Sequence, residues 1–242
     1  DYDFLSTEIN CNLLSLDIIF ICLPKNIIRG LKELFVKFNV SVNQISLSSY
    51  AKSLNYKNDF LTNENTAYID MGYNKTSIIY YKKNNISSFN VIPIGGNHIT
   101  KDLSKILDVD LITAEKIKLT FDKDAKILNE KNLSVEFVQK IIFARIEEIL
   151  ELCSITINSN ENIKHKEQFN MVLMGEGSKI LDNNFKEKIL FSKEINLIEE
   201  TSLGICESAV KLSQGINKQE VVIVPKKQLK EGFFEKLFHF FS

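Results

Sequence analysis

The chain has 242 residues, 44% of them hydrophobic and 25% charged, with 9 Gly and 3 Pro. That balance suits one large domain or two modest ones with a sizeable core, and it excludes a disordered, collagen-like or low-complexity chain. Lys and Arg number 30 against 31 Asp and Glu, a formal net charge of -1, so no global basic field points to nucleic acid and none is expected as a partner.

The chain opens at Asp1, in mid-pattern, and is expected to be a piece of a longer protein. Its only arginines are Arg29 and Arg145, and Ile and Asn are abundant; a low-GC genome accounts for this bias. Cys11, Cys22, Cys153 and Cys206 show no CxxC spacing, so no Cys-based metal site is expected. Cys22, Cys153 and Cys206 sit in apolar runs and read as small core residues. A reducing, cytoplasmic compartment fits. The first apolar run lacks a basic leader, so no signal peptide is expected. The longest run, Leu13 to Leu23, is broken by Ser15 and Asp17 and falls short of the ~20 residues of a membrane span.

In chain order, strand-like and helix-like periods alternate, which means an α/β fold. Ile18 to Leu23, stopped by Pro24, reads as a buried strand. Ile27, Ile28, Leu31, Leu34 and Phe35 recur at helical spacing and predict an amphipathic helix over 25–38. Val40 to Val42 reads as a short extended piece and Ser48 to Leu54 as a helix. From 66 to 94 the period becomes two. Strands are expected at Thr66–Met71, Thr76–Lys82 and Ile86–Ile94, with turns at Gly72-Tyr73-Asn74 and Lys83-Asn84-Asn85. Helices are expected at Ile99–Leu107, Thr113–Phe121 and Ser134 to about Asn158. The long one carries a stripe of Phe137, Val138, Ile141, Ile142, Ile146, Ile149, Leu150 and Cys153. Phe169–Met174 reads as a buried strand entering Gly175-Glu176-Gly177, with a helix from Ser178. Ile195–Leu197 is a short extended piece, and Thr201–Leu212 a helix.

The end of the chain differs. After a Lys-rich linker comes GFFEKLFHFFS, residues 232–242, with five Phe in eleven positions. On a helical wheel Phe233, Phe234, Leu237, Phe238, Phe240 and Phe241 cover one half, and Glu235, Lys236, His239 and Ser242 the other. A terminal Phe-rich amphipathic helix, preceded by Lys226, Lys227 and Lys230, suits an in-plane membrane anchor on an anionic leaflet, with Lys236 on its polar face. Docking on the protein's own core is the alternative.

Three motifs carry candidate chemistry. Asp70-Met71-Gly72-Tyr73-Asn74-Lys75-Thr76 ends one strand, turns and starts the next. An Asp at such a turn can hold a hydrated Mg²⁺, and the turn's N–H groups can face a phosphate; a purely structural turn fits equally. Glu115 and Lys118 share a helix face at i, i+3, near enough to hold a ribose, and as an isolated pair would be a solvated ion pair. Gly175 and Gly177 let the backbone pass close to a flat ligand.

In this order, a hairpin with Asp, a helix with Glu and Lys, then strand–GxG–helix resembles the second half of the actin/Hsp70/sugar-kinase superfamily. Within it the chain resembles the FtsA family of actin-like bacterial division proteins. The stretches that carry this are Tyr68–Gly72, Val91–Asp102 (VIPIGGNHITKD), Ala114–Lys118, Arg145–Ile149, the GEG turn, Ser202–Ile205 and the terminal helix. The resemblance covers essentially the whole chain.

It implies an actin-like ATPase fold, mostly its second lobe. The expected divisions are the end of an inserted first-lobe subdomain (1–44), a return to the first lobe (45–65), the second-lobe core (66–96 and 169–213), its far subdomain (97–168), a linker (214–231) and the amphipathic helix (232–242). It also implies an ATP site: Asp70 would assist Mg²⁺ through water, and Gly72, Asn74 and Thr76 would face the phosphates. Glu115 and Lys118 would hold the ribose, and Gly175, Glu176 and Gly177 would flank the adenosine. Tyr73, Asn74, Lys75 and Ser77 depart from the family's glycine-rich turn and its second carboxylate, so ATP binding is expected and ATP hydrolysis at most weak. The family's first phosphate loop is absent from the chain.

Family partners would be the C-terminal tail of the tubulin-like FtsZ, bound through 97–168, and further copies in an actin-like filament. Arg145 could pair with an acidic tail or with an intramolecular carboxylate. The place implied is the cytoplasmic face of the cell membrane at the division site, as a peripheral protein. Two alternatives within the superfamily are a pilus-assembly protein of the PilM type and an ATP-dependent small-molecule kinase.

Overall fold

The structure, a computed structural model, describes residues 21–57, 65–82, 85–120, 133–159, 169–181 and 195–214. The terminal helix at 232–242, the linker from 215 on and the first part of the Ile18–Leu23 strand lie outside these residues. Ile21 to Leu23, which are described, are not in a strand.

Three strands follow one another with little chain between them: β1 (Thr66–Met71), β2 (Thr76–Lys82) and β3 (Asn85–Ile92). They pair antiparallel as a meander, with Met71 opposite Thr76 at the first turn. β3 stops at Ile92 rather than Ile94 because Pro93 has no N–H to offer the ladder. β4 (Asn170–Met174) then adds parallel to β1, with Asp70 opposite Met174, and β5 (Ile195–Leu197) adds parallel to β4. The sheet order is β3-β2-β1-β4-β5.

Side chains alternate across the sheet, and both faces are covered. Ala67, Ile69, Met71, Ile78, Tyr80, Met171 and Leu173 face a core shared with α3 (Gly96–Leu107), α4 (Leu111–Thr120) and α5 (Val135–Asn158). Tyr68, Ile79, Tyr81, Val172 and Met174 face the other way, onto Tyr50 and Leu54 of α2 (Ser48–Lys57). On that side α6 (Ser202–Ser213) packs beside α2, and Lys211 Nζ donates to Asn55 Oδ1 at 2.7 Å.

The helices follow their signals with shifts at the ends. α4 starts at Leu111 because Asp110 caps it: its carboxylate accepts the Ile112 and Thr113 N–H groups at 2.9 and 3.0 Å. Thr201 caps α6 by accepting the Gly204 N–H at 3.0 Å. The helix expected from Ser178 is a 3₁₀ helix over Glu176–Ile180. α5 buries its expected stripe except Phe137, which is 47% exposed; Phe143 and Ile157 are buried instead.

Val40 to Val42, expected as a short extended piece, joins no strand of the sheet, and Val40 is exposed. One further expectation is corrected. Cys22 and Cys206 are exposed, so of the three cysteines expected in the core only Cys153 is there; burial pushes its thiol up to about 12. α1 (Lys25–Val36) is amphipathic as expected, and none of its residues is buried. No described helix is long and apolar enough to cross a membrane.

Candidate functional site

The parallel strands β1, β4 and β5 end on the same side of the sheet, the edge where α/β folds hold ligands. Asp70 stands near the end of β1, Gly175 follows β4, and Glu200 lies just after β5. Gly175 has φ +96, a conformation that favours glycine, and a Cβ there would overlap Asp70 Oδ1 and the Met71 carbonyl. Its N–H donates to Glu200 Oε2 at 2.8 Å.

Lys52 of α2 reaches into this point. Its Nζ lies 2.6 Å from Asp70 Oδ1 and 3.0 Å from Glu200 Oε2. The three side chains are 5%, 11% and 1% exposed. Glu200 Oε1 is buried and has no partner among the described residues. Neither Lys52 nor Glu200 was singled out from sequence.

The β1–β2 turn is locked against the start of α3. Gly72 N–H donates to the Lys75 carbonyl at 3.0 Å, Gly96 N–H to Gly72 at 2.9 Å and Asn97 N–H to Tyr73 at 2.7 Å. Asn97 Nδ2 donates to Asn74 Oδ1 at 3.0 Å, and Thr76 Oγ1 to the Ile94 carbonyl at 2.7 Å. Gly95 is glycine because a Cβ would overlap the Gly72 and Tyr73 carbonyls. A Cβ on Gly96 would stand 3.6 Å from Gly177 Cα and 3.7 Å from the Gly72 oxygen. The hairpin turn, the start of α3 and the GEG turn therefore meet through closely packed backbone, where side chains larger than hydrogen do not fit at Gly95 or Gly177.

Glu115 and Lys118 do share one face of α4, at 2.7 Å, and they join α3 to it. Lys118 Nζ also donates to Thr100 Oγ1 at 2.8 Å and to the Gly96 carbonyl at 3.2 Å, and the Thr100 hydroxyl donates to Glu115. Burial pushes the Glu115 carboxyl up, but the bonds from Lys118 and Thr100 outweigh it and hold the group below its ordinary value. Lys118 is buried with all three of its donors engaged, and Glu115 is partly open. Glu176 is exposed and pairs with Lys179 at 2.6 Å.

Arg145 of α5 is held by carboxylates of the same chain. Nε and Nη2 grip Asp102 at 2.5 and 2.9 Å, and Nη1 meets Glu148 at 2.5 Å. The Asp102 hydrogen bonds hold the guanidinium pKa above its ordinary value.

For Mg²⁺ the donor set at Asp70 does not fit. The carboxylate already has an ammonium at hydrogen-bond distance, and no cluster of three potential ligands occurs among the described residues.

Comparison with known proteins adds an independent line. The family model for cell division protein FtsA matches residues 67–141, which span β1 to the first part of α5. The cell division protein FtsA of Buchnera aphidicola subsp. Baizongia pistaciae is 28% identical over 189 residues, 69% of this chain and 44% of that protein. The FtsA of Buchnera aphidicola subsp. Acyrthosiphon pisum is 25% identical over 243 residues, 88% of this chain and 58% of that protein. The chain thus spans about half the length of the curated relatives it matches. Among solved structures, MreB 5 of Spiroplasma citri bound to AMPPNP superposes with a TM-score of 0.60 at 14% identity, covering 81% of this chain and 66% of that one. The fold is actin-like, and in sequence the chain is similar to FtsA over part of that protein's length.

Proposed function

We propose that this FtsA-related chain belongs to an actin-like, nucleotide-binding protein of bacterial cell division. One observation carries the reading: the family match at 67–141 coincides with the segment that builds Asp70, the Gly72–Thr76 turn, the Gly95-Gly96 corner and the Glu115–Lys118 pair. The nucleotide is ATP, the ligand class whose analogue MreB 5 holds. Its phosphates lie over the Gly72, Asn74 and Thr76 turn, and Glu115, with Lys118 behind it, faces the ribose. Gly175, Glu176 and Gly177 flank the adenosine.

The rest of the reading follows from the family. Residues 1–44 and 45–65 belong to the first lobe, 66–96 and 169–213 to the second-lobe core and 97–168 to its far subdomain. That subdomain takes the acidic FtsZ tail, copies associate as an actin-like filament, and the terminal helix holds the assembly on the inner membrane face at the division site. ATP turnover is at most slow.

The test is a fluorescent ATP analogue titrated into the 242-residue chain. Saturable binding that unlabelled ATP displaces, and that Gly177→Val removes because a side chain there meets Met71 and the Gly72 carbonyl, supports the site. No saturable binding overturns it.

A further inference from the structure

Asp70 holds a cation that belongs to the chain itself. A hydrated divalent ion bound by a carboxylate keeps several waters and touches that carboxylate through their hydrogens. Lys52 presents the same chemistry, N–H donors around a positive centre, 2.6 Å from Asp70 Oδ1. Its position is fixed from three sides. α2 is packed on the sheet through Tyr50 and Leu54, Glu200 Oε2 takes a second Lys52 hydrogen at 3.0 Å, and Gly175 N–H holds that same oxygen at 2.8 Å. With the ammonium 5% exposed, water cannot screen it from a second cation arriving at Asp70.

Lys52 does not neutralise the point completely. One ammonium faces two carboxylates, and Glu200 Oε1 is buried without a partner among the described residues. Without Lys52, Asp70 and Glu200 would converge on one vacated position as two oxygen ligands, the donor type that hard divalent cations take.

We infer that Lys52 is the resident cation of this site and stands where a hydrated divalent ion would otherwise join Asp70 to a phosphate. The nucleoside triphosphate is then engaged without a divalent ion at Asp70, and the substitution of Lys52 by a neutral residue creates a divalent-cation site from Asp70 and Glu200. The first consequence rests on the nucleotide-binding reading; the second does not.

Mn²⁺ is the probe, and its free ion is measured by electron paramagnetic resonance in solutions of the 242-residue chain without nucleotide. The wild type and Asp70→Asn should deplete free Mn²⁺ equally little. Lys52→Ala should bind one Mn²⁺ at least about tenfold more tightly than wild type, the direction set by removing a positive charge beside the carboxylates. Adding Asp70→Asn to Lys52→Ala should abolish that gain. Wild-type binding that Asp70→Asn removes overturns the inference, and so does a folded Lys52→Ala chain that gains no site. Should Lys52→Ala fail to fold by circular dichroism, Lys52→Met keeps the stem's packing and is read in the same way. A fluorescent ATP analogue in EDTA against Mg²⁺ gives the second readout. Equal affinity supports the inference, and a wild type that binds only with Mg²⁺ overturns it. No binding in either buffer removes the nucleotide reading and its first consequence, while the Mn²⁺ measurement still decides the second.

Discussion

The Lys118 ammonium donates to the Gly96 carbonyl at 3.2 Å, joining two residues 22 apart in sequence. Gly96 opens α3, and its N–H is in turn bonded to the Gly72 carbonyl of the hairpin turn. Lys118 is therefore a strut beneath the turn as well as a neighbour of Glu115. Lys118→Met removes three hydrogen bonds and leaves Thr100 and Glu115 without their shared cation. We expect a loss of about 2 kcal/mol in urea unfolding with an unchanged slope, less than a fully buried pair because Glu115 is partly open. Lys116→Met, on the exposed side of α4, should stay within about 0.5 kcal/mol of wild type.

The same cluster sets a pH dependence. The Glu115 carboxyl is held below its ordinary 4.5 by Lys118 and Thr100, against burial. Its contribution to stability is complete above the unfolded value and is lost as pH falls through the lower folded value. The melting temperature should therefore fall on acidification below about pH 4.5, and Lys118→Met should flatten that fall. Equal slopes in the two chains would remove Glu115 as the cause.

Much of this frame was legible in the sequence, and the reason is local. β1 and β2 matched their expected limits because period-two burial and a turn after Asp70 are encoded within a few residues. The stripe on α5 was legible for the same reason, and Phe137 was misplaced because it stands one residue before Val138, about 100° around the helix and off the buried face. The Lys52–Asp70–Glu200 cluster was not legible. Its members stand 18 and 148 residues apart from Lys52, and only the parallel pairing of β1, β4 and β5 brings them together. A lysine among the small residues of α2 carries no local sign that it points inward. The Asp110 cap of α4 did carry one, a D-x-x-T spacing at a helix start.

Gly175 sits where backbone conformation and crowding coincide. With φ +96, and with Asp70 and Met71 where a Cβ would go, Gly175→Ala is expected to cost at least about 2 kcal/mol and to weaken binding of the nucleotide analogue. Gly30→Ala, inside α1 with nothing within 4 Å of its Cβ, should be neutral or stabilise by up to about 1 kcal/mol. Thermal melts of the two variants separate these outcomes.

Arg145 can serve an acidic peptide only by giving up Asp102. Asp102→Ala should then strengthen binding of an FtsZ-tail-like acidic peptide several-fold at low salt, in fluorescence anisotropy. The gain should fade at high salt, where the interaction is screened. An unchanged affinity would remove Arg145 from the peptide site.

The terminal segment is tested separately, because residues 215–242 lie outside the described structure. From Lys226 to Ser242 the sequence holds four Lys against two Glu, followed by the one-sided set of Phe233, Phe234, Leu237, Phe238, Phe240 and Phe241. Apolar burial in the interface and lysine attraction to an anionic leaflet add, at about 1 kcal/mol per lysine near the surface. The 226–242 peptide fused to a fluorescent reporter should therefore sediment with vesicles containing anionic lipid, and less with neutral ones. Phe234→Glu with Phe238→Glu should abolish sedimentation, since each places a charge in the apolar half. Lys226→Gln with Lys227→Gln should weaken it and reduce its salt dependence while leaving residual binding. A fusion that stays in the supernatant with anionic vesicles would assign the aromatic face to protein contacts and take the membrane out of the reading.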